Sequence, residues 1–140
     1  MERLGGYPLG EKGTYLFFFR LRKPLTVKTR GGKVFFLKEG YYVYIGSAFG
    51  GGGIEKRVGR HLKREKPKRW HLDFVTTSEV FEFLSYVPFY GKRIECNLAG
   101  LFENNGELFE PVKGFGCTDC SCKSHLFLIK KPSGSKEEAK

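Results

Sequence analysis

The order of apolar and polar positions along the chain predicts mainly β-strands. Strand composition, rich in aromatic and β-branched residues and bounded by glycine, proline or charged turns, recurs seven times. The seven stretches are 13–22, 25–29, 33–38, 41–46, 69–75, 79–88 and 125–130. In the stretch 69–75, Trp70, Leu72 and Phe74 alternate with His71 and Asp73, which favours a strand with two different faces. The turn at 30–32 is typical of a hairpin, so the first strands are expected to form an antiparallel meander.

Two further stretches have the spacing of amphipathic helices. The first has its apolar face at positions 54, 58, 61 and 62 and ends before Pro67, and the second has it at positions 94, 98, 101 and 102 and ends at 104–106. Together with the strands, they predict an α+β domain with a small, mainly antiparallel sheet flanked by two or three helices. We expect this domain to span 13–130, after a lead-in at 1–12 and before a disordered polar tail at 131–140.

A glycine-rich turn separates the strand at 41–46 from the first helix. Five glycines lie within the eight residues 46–53. A turn of this kind that opens a helix presents backbone N–H groups at the positive end of the helix dipole, which favours a phosphate. Arg57 lies one turn into the helix and His61 one turn further along the same side. The sequence therefore predicts an anion site at this edge of the sheet.

Composition and charge indicate the class of partner. The 140 residues are 40% hydrophobic, with 14 Phe and 7 Tyr, so one sizeable core is expected. The 25 Lys and Arg against 15 Asp and Glu give a net charge of +10, which favours a polyanion such as DNA. No apolar run approaches the length of roughly 18 residues that a membrane span needs. The first residues contain no apolar signal-peptide core, so a cytoplasmic protein without a membrane partner is expected.

An ordered set of short motifs carries a resemblance. The motifs are Gly13-Thr14-Tyr15, Tyr44-Ile45-Gly46, the helix positions Ile54, Arg57, Val58 and His61, and Glu95 in the later helix. In this order they resemble the GIY-YIG nuclease superfamily over residues 13–129. The strand YVYIGSA and the ending GFGCTDCSCKSHLF are most similar to a small branch of it, found as a stand-alone protein or fused to DNA repair glycosylases of the endonuclease III type. The resemblance implies the GIY-YIG fold and a metal-dependent endonuclease acting on DNA, with a setting in DNA repair.

The same resemblance implies roles for five residues. Tyr15 would act near the attacking water, Arg57 would bind the scissile phosphate, and Glu95 would hold one Mg²⁺ or Mn²⁺. Tyr44 and His61 would orient or assist the proton transfer. The set is chemically coherent, because a carboxylate suits a hard cation and a guanidinium matches a phosphate in forked geometry.

The first helix and the strand before it also supply candidates for contact with nucleic acid. These candidates are Gly46, Lys56, Arg60, Lys63 and Arg64. Simpler interpretations stay open for most of the site: the tyrosines as core aromatics, the basic residues as a solvated helix face, His61 as a packed histidine, and Glu95 as an exposed helix residue.

A Cys/His block near the end of the domain allows three interpretations. Its residues Cys117, Cys120, Cys122 and His125 have spacings of three, two and three and could form a zinc site. Alternatively, a site particular to this branch would line the same cleft as Arg57 and Glu95; its members would be Asp119, Cys120, His125, His71 and Asp73. The third interpretation is buried thiols in a tight turn.

Three functions of different classes follow from these features. The first is a metal-dependent DNA endonuclease. The second is a non-catalytic nucleic-acid-binding module that uses the basic helix and exposed aromatic residues. The third is a zinc-stabilised interaction domain that positions a partner protein of DNA repair.

Overall fold

The computed structural model describes residues 10–116 and 123–130. The predicted tail and most of the predicted lead-in lie outside these residues. In chain order the elements are β1 Gly13–Leu21, β2 Leu25–Lys28, β3 Val34–Leu37, β4 Gly40–Ala48, α1 Gly53–His61, α2 His71–Thr76, β5 Phe81–Tyr90, α3 Glu95–Glu103, β6 Phe109–Pro111 and β7 Leu126–Ile129. The predicted α+β class, with a small antiparallel sheet and two or three helices, is confirmed.

The main sheet has five antiparallel strands in the order β5-β1-β4-β7-β6. The apolar alternation of β1 places Phe17, Phe19 and Leu21 on one buried face, as a two-residue period requires. Tyr15 on β1 lies opposite Gly46 on the neighbouring strand β4 and opposite Pro88 on the other neighbour, β5. The first motif and the second motif are therefore direct cross-strand partners.

The strands β2 and β3 form the predicted hairpin, but this hairpin is a separate two-stranded sheet. The expected meander of the first strands is wrong, because β1 pairs with β4 and β5, and β2 and β3 do not join the main sheet. Its turn is closed by the N–H of Gly32, which donates to the carbonyl of Thr29 at 3.0 Å, and Gly32 has a φ of 92° that favours glycine. Phe35 and Leu37 face the core, whereas Phe36 on the other face is 78% exposed. The hairpin thus leaves one aromatic side chain of β3 in solvent.

The prediction of a strand at 69–75 is wrong, because this stretch contains the helix α2. The buried positions Leu72, Val75 and Thr76 have helical spacing, which a seven-residue window cannot separate from strand alternation. The carboxylate of Asp73 accepts hydrogen bonds from the backbone N–H groups of Arg69 and Trp70 at 2.8 and 3.0 Å. These bonds satisfy donors at the start of the helix and stabilise it over an extended strand.

Two smaller differences occur at sheet edges. The strand β5 was expected to end at Pro88, yet it continues to Tyr90, because β5 is an edge strand and a missing ladder N–H is tolerated there. The three-residue strand β6, which pairs with β7, was not predicted. A strand of three residues is too short to show a recognisable alternation of apolar and polar positions.

Helices cover both faces of the sheet. On one face, Ile54 and Val58 of α1 and Leu72 of α2 join the larger core with Phe17 and Phe19. On the other face, Ala99 of α3 packs with Val43, Ile45 and Phe127. Within the described residues, no helix is long and apolar enough to span a bilayer.

Candidate active site

A cleft of about 420 Å³ brings together residues that lie far apart in the sequence. Its walls come from β1, β4, α1 and the first turn of α3. The lining residues are Tyr15, Tyr44, Ile45, Gly46, Ser47, Arg57, His61, Trp70, Glu95, Cys96, Gly116 and His125. All five residues predicted as catalytic line this cleft.

A short polar contact in the cleft joins β1 to the last residue of α1. The hydroxyl oxygen of Tyr15 lies 2.6 Å from Nε2 of His61. Both residues are only 1% exposed, and the ring of Phe17 packs 5.0 Å from the imidazole. The other ring nitrogen of His61, Nδ1, is buried without a hydrogen-bond partner among the described residues. The Tyr15 contact is therefore the one polar anchor of this ring in the described structure.

Burial keeps both partners of this contact neutral. Desolvation raises the pKa of Tyr15 well above its usual value; nearby Tyr44 adds to the rise, and the guanidinium of Arg57 opposes it. Desolvation lowers the pKa of His61 to about 3, helped by Lys66 and opposed by Asp73. At neutral pH the contact therefore joins an un-ionised phenol to an uncharged imidazole.

Gly46 makes room for the ring of Tyr15. A Cβ atom at position 46 would lie 2.2 Å from Cζ of Tyr15, far inside van der Waals contact. Gly46 was predicted as a nucleic-acid contact; it lines the cleft, and the structure gives it this steric role. The glycine of the second motif thus fixes where the tyrosine of the first motif lies.

Arg57 is fixed at the wall of the cleft by two contacts. Its Nη1 donates to the carbonyl of Ser47 on β4 at 2.9 Å. Its guanidinium carbon lies 4.7 Å from the ring centroid of Trp70. The side chain is half-buried, and a fixed, half-exposed guanidinium is well suited to binding a phosphate.

Trp70 is a cleft residue that the sequence did not identify as functional. It was grouped with Leu72 and Phe74 on one face of a strand, but it precedes α2 and is 37% exposed. The guanidinium of Arg60 lies 4.3 Å from its ring centroid, and the ring forms a T-shaped contact with the imidazole of His61, with centroids 6.3 Å apart. The only signal in the sequence was a lone tryptophan between basic residues.

A fully buried carboxylate holds Arg60. Asp73 is 0% exposed and accepts hydrogen bonds from Nη1 and Nη2 of Arg60 at 2.9 and 3.2 Å. Burial acts to raise the pKa of Asp73, but the bonds from Arg60 and from the backbone N–H groups of Trp70 and Arg69 outweigh it and lower that pKa. Asp73 does not line the cleft, and Arg60, predicted as a nucleic-acid contact, is the partner of this ion pair.

Lys66 ties the end of α1 to α2. Its Nζ donates to the carbonyls of Arg60 and His61, each at 2.8 Å, and to Oγ1 of Thr76 at 2.9 Å. These bonds satisfy carbonyls that the helix itself leaves free. Lys66, also missed from the sequence, therefore fixes the backbone of His61.

Glu95 is the first residue of α3 and enters the cleft beside β1. The hydroxyl of Thr14 lies 3.4 Å from Oε1 of Glu95 and 2.7 Å from the carbonyl of Lys92, and it accepts a bond from the N–H of Ile94 at 3.1 Å. Thr14 occupies the middle position of the first motif. It therefore links that motif to the start of the helix that carries the glutamate.

The histidines of the proposed second site lie in different places. His125 lines the cleft, and burial lowers its pKa against the opposing charges of Glu95 and Glu103. His71 is outside the cleft lining: its Nδ1 accepts from the N–H of Gly116 at 3.0 Å. The three cysteines of the Cys/His block, Cys117, Cys120 and Cys122, and Asp119 of the alternative site lie outside the described residues. The zinc site stays a prediction.

A basic groove adjoins the cleft along the outer side of α1. Its lining includes Lys56, Arg57, Arg60, Lys63 and Lys66. In the described part of the chain, the side chains of Lys56 and Lys63 form neither ion pairs nor hydrogen bonds. Arg64 lies outside the groove lining and donates to the carbonyl of Ser78 at 3.1 Å. Of the predicted basic contacts, Lys56 and Lys63 are thus the most available to a polyanion.

The glycine-rich turn does not present all its amides outward. The N–H of Ile54 donates to the carbonyl of Glu11 at 2.9 Å, and Gly53 packs so closely that a Cβ there would lie 2.4 Å from the same oxygen. The acidic side chain of Glu55 also lies in the first turn, where it accepts bonds from the hydroxyls of Tyr86 and Tyr90. The anion site expected from the turn is therefore better supported at Arg57 than at the helix N-terminus.

Comparison with known proteins gives a family and no closer relative. No curated protein and no solved structure matches the chain. One family model, described as "Domain of unknown function DUF123", matches residues 14–140 and so covers more than half of the sequence. The match includes every residue that lines the cleft. The chain therefore belongs to the DUF123 family.

Proposed function

We propose that the protein is a divalent-metal-dependent endonuclease that hydrolyses phosphodiester bonds of DNA. The observation that carries this proposal is the convergence of Tyr15, His61, Arg57 and Glu95 on one cleft, with Tyr15 and His61 in hydrogen-bonding contact. These are the residues at which the chain resembles the GIY-YIG nucleases. A role in DNA repair is proposed from that resemblance alone.

The cleft suits Mg²⁺ or Mn²⁺ as an open site. Glu95 is the carboxylate of the cleft, and no cluster of three or more potential metal-ligating side chains exists in the part of the chain that the structure describes. Mg²⁺ commonly binds proteins through one or two carboxylates and takes its other ligands from water and substrate phosphates. A bound ion would stabilise negative charge on the phosphate and the leaving oxygen. Glu95 would hold it.

Tyr15 and His61 would position the attacking water. Because the pKa of Tyr15 is raised, its phenol carries its proton at neutral pH. The phenol would donate its hydrogen bond to Nε2 of His61 across the 2.6 Å contact and accept one from the attacking water, and the proton that the water loses would pass to solvent. The water oxygen then forms its bond to phosphorus as the bond to the leaving oxygen breaks. Tyr44, which lines the same cleft, would help to orient the water.

Arg57 and the basic groove would bind the substrate backbone. The guanidinium of Arg57, held by Ser47 and Trp70, would contact the scissile phosphate as its charge increases. Lys56 and Lys63 would contact flanking phosphates. The net charge of +10 adds attraction over a longer range.

The test is a cleavage assay with one protein preparation on plain, nicked, flapped and branched DNA with Mg²⁺ or Mn²⁺. We expect Glu95→Gln and Arg57→Ala to lower the cleavage rate by roughly 100-fold or more, as for loss of a group that stabilises transition-state charge. Matched controls are Glu82→Gln and Arg20→Ala, an exposed ion pair outside the cleft with the same changes of charge. No cutting of any DNA by the folded protein would count against the proposal, as would equal losses in the controls.

The basic groove also supports a second candidate, a non-catalytic module that binds nucleic acid. In that case binding would be sensitive to salt and unaffected by Glu95→Gln. The double variant Lys56→Ala/Lys63→Ala would reduce the slope of log affinity against log salt by roughly 2. The two functions separate cleanly, since only an endonuclease releases shorter DNA products.

A further inference from the structure

Trp70 forms a rigid aromatic surface at the rim of the cleft. One carboxylate, that of Asp73, binds both the backbone N–H of Trp70 at 3.0 Å and the guanidinium of Arg60, which lies over the Trp70 ring. Asp73 is fully buried, so its carboxylate has a fixed position. It holds Trp70 directly through the backbone N–H and indirectly through Arg60 at the ring. The ring therefore has little freedom to move away from the cleft.

The ring nevertheless remains accessible. Two guanidiniums, those of Arg57 and Arg60, lie over it, and 37% of the residue is still exposed. Trp70 lines the same cleft as Arg57, the proposed phosphate contact, so a group stacked on the ring would belong to a nucleotide next to that phosphate.

This arrangement matches the chemistry of single-stranded nucleic acid recognition. Proteins bind unpaired bases by stacking them on aromatic rings next to cationic side chains that contact the backbone. A base inside a duplex is stacked on its neighbours and cannot offer its face to a side chain. A stacking surface at the cleft therefore favours DNA with an unpaired nucleotide over fully paired DNA.

We propose that Trp70 stacks on an unpaired base beside the phosphate bound at Arg57, so that the substrate is DNA with a single-stranded, bulged or branched position. The inference rests on the proposed function only in taking the polyanion of the cleft to be DNA. It adds a substrate class, and it assigns Trp70 as the residue that determines it.

The chain contains a single tryptophan, which makes the test direct. The wild-type protein is titrated, without divalent cations, with three duplexes of equal length: one with a central unpaired base, one with an abasic residue at that position, and one fully paired. Tryptophan fluorescence and binding anisotropy are measured together. Stacking predicts strong quenching by the unpaired base alone, because the abasic DNA keeps the phosphates and lacks the ring.

Variants separate stacking from a purely structural role. Trp70→Ala is expected to weaken binding of the unpaired-base duplex by roughly 5- to 150-fold, and binding of the abasic duplex far less. Trp70→Phe should retain part of this preference. Phe36→Ala removes an exposed aromatic residue outside the cleft and should leave the preference unchanged.

Several results would overturn the inference. They are equal quenching by the three duplexes, equal loss of affinity for unpaired and abasic DNA in Trp70→Ala, and no binding of any duplex at low salt. Equal loss would mean that Trp70 serves only to position Arg57. Selective quenching without cleavage in the presence of metal would support the stacking role and contradict the nuclease, so the two proposals fail separately.

Discussion

The hydroxyl of Tyr15 and Nε2 of His61 lie 2.6 Å apart, although 46 positions separate the two residues in the chain. One lies on β1 and the other at the end of α1. The pair is buried and lies next to a half-buried arginine, and the contact is a hydrogen bond between an un-ionised phenol and an uncharged imidazole. This contact links the first motif of the chain to its basic helix.

Tyr15→Phe is expected to abolish cleavage and to lower the free energy of unfolding. It removes the described hydrogen-bond partner of His61 and leaves the buried imidazole without one, at a cost of about 1–3 kcal/mol. The matched control is Tyr42→Phe, because Tyr42 is also a buried tyrosine with one short bond, to the carbonyl of Lys38 at 2.6 Å, but lies outside the cleft. Urea unfolding and the cleavage assay separate the effects: the control should lose stability and keep its activity.

His61 is expected to stay neutral across the physiological range. Its pKa of about 3 in the folded state lies below the value of about 6.5 in an unfolded chain. The neutral ring therefore stabilises the fold fully above about pH 6.5, and this contribution is lost as the pH falls toward 3. NMR of the imidazole nitrogens should show no titration of His61 between pH 5 and 8, whereas the urea-unfolded chain titrates near pH 6.5. A midpoint between 6 and 7 in the folded protein would contradict this prediction.

Gly46→Ala is expected to displace Tyr15. The new methyl group would overlap the tyrosine ring, and overpacking of this kind costs about 1–3 kcal/mol. Gly100→Ala in α3 is the control, because a Cβ there meets nothing within 4 Å. That change should stabilise the protein by roughly 0.5–1 kcal/mol, since alanine favours a helix. Thermal unfolding compares the two, and an unchanged melting temperature in Gly46→Ala would show that the ring can move freely.

Asp73→Ala is expected to destabilise the fold and the rim of the cleft together. It leaves Arg60 without its carboxylate and the start of α2 without acceptors, at a cost of roughly 2–4 kcal/mol, since Arg60 is 23% exposed and keeps some solvation. Because its folded-state pKa is lowered, Asp73 contributes this stability above about pH 4 and loses it at lower pH.

The control for Asp73 is Glu82→Ala, which breaks an exposed ion pair with Arg20. It should change stability by less than about 1 kcal/mol. Guanidinium unfolding at pH 7 and pH 3 measures both variants. A cost for Asp73→Ala that is just as large at pH 3 would show that its charge is not the cause.

Long, strongly patterned segments could be predicted from the sequence. The alternation of β1 and β4 and the helical spacing of α1 and α3 each extend over nine residues, which is enough to distinguish the two periods. Short elements could not be predicted in the same way. The segment of α2 was interpreted as a strand, because its helix depends on bonds from the carboxylate of Asp73 that only the folded chain reveals.

The sequence by itself determined the order of the motifs, and with it Tyr15, Tyr44, Arg57, His61 and Glu95 as candidates. The tertiary structure decided which of the other polar residues lie in the same cleft as these candidates. Arg60 and Arg57 are both basic residues of one helix, yet Arg60 is bound by a buried carboxylate and Arg57 lies open to the cleft. Trp70 was placed with Leu72 and Phe74 on one face of a predicted strand, but it lies at the rim of the cleft. The physical reason is that burial and pairing depend on contacts between distant segments, which local spacing does not encode.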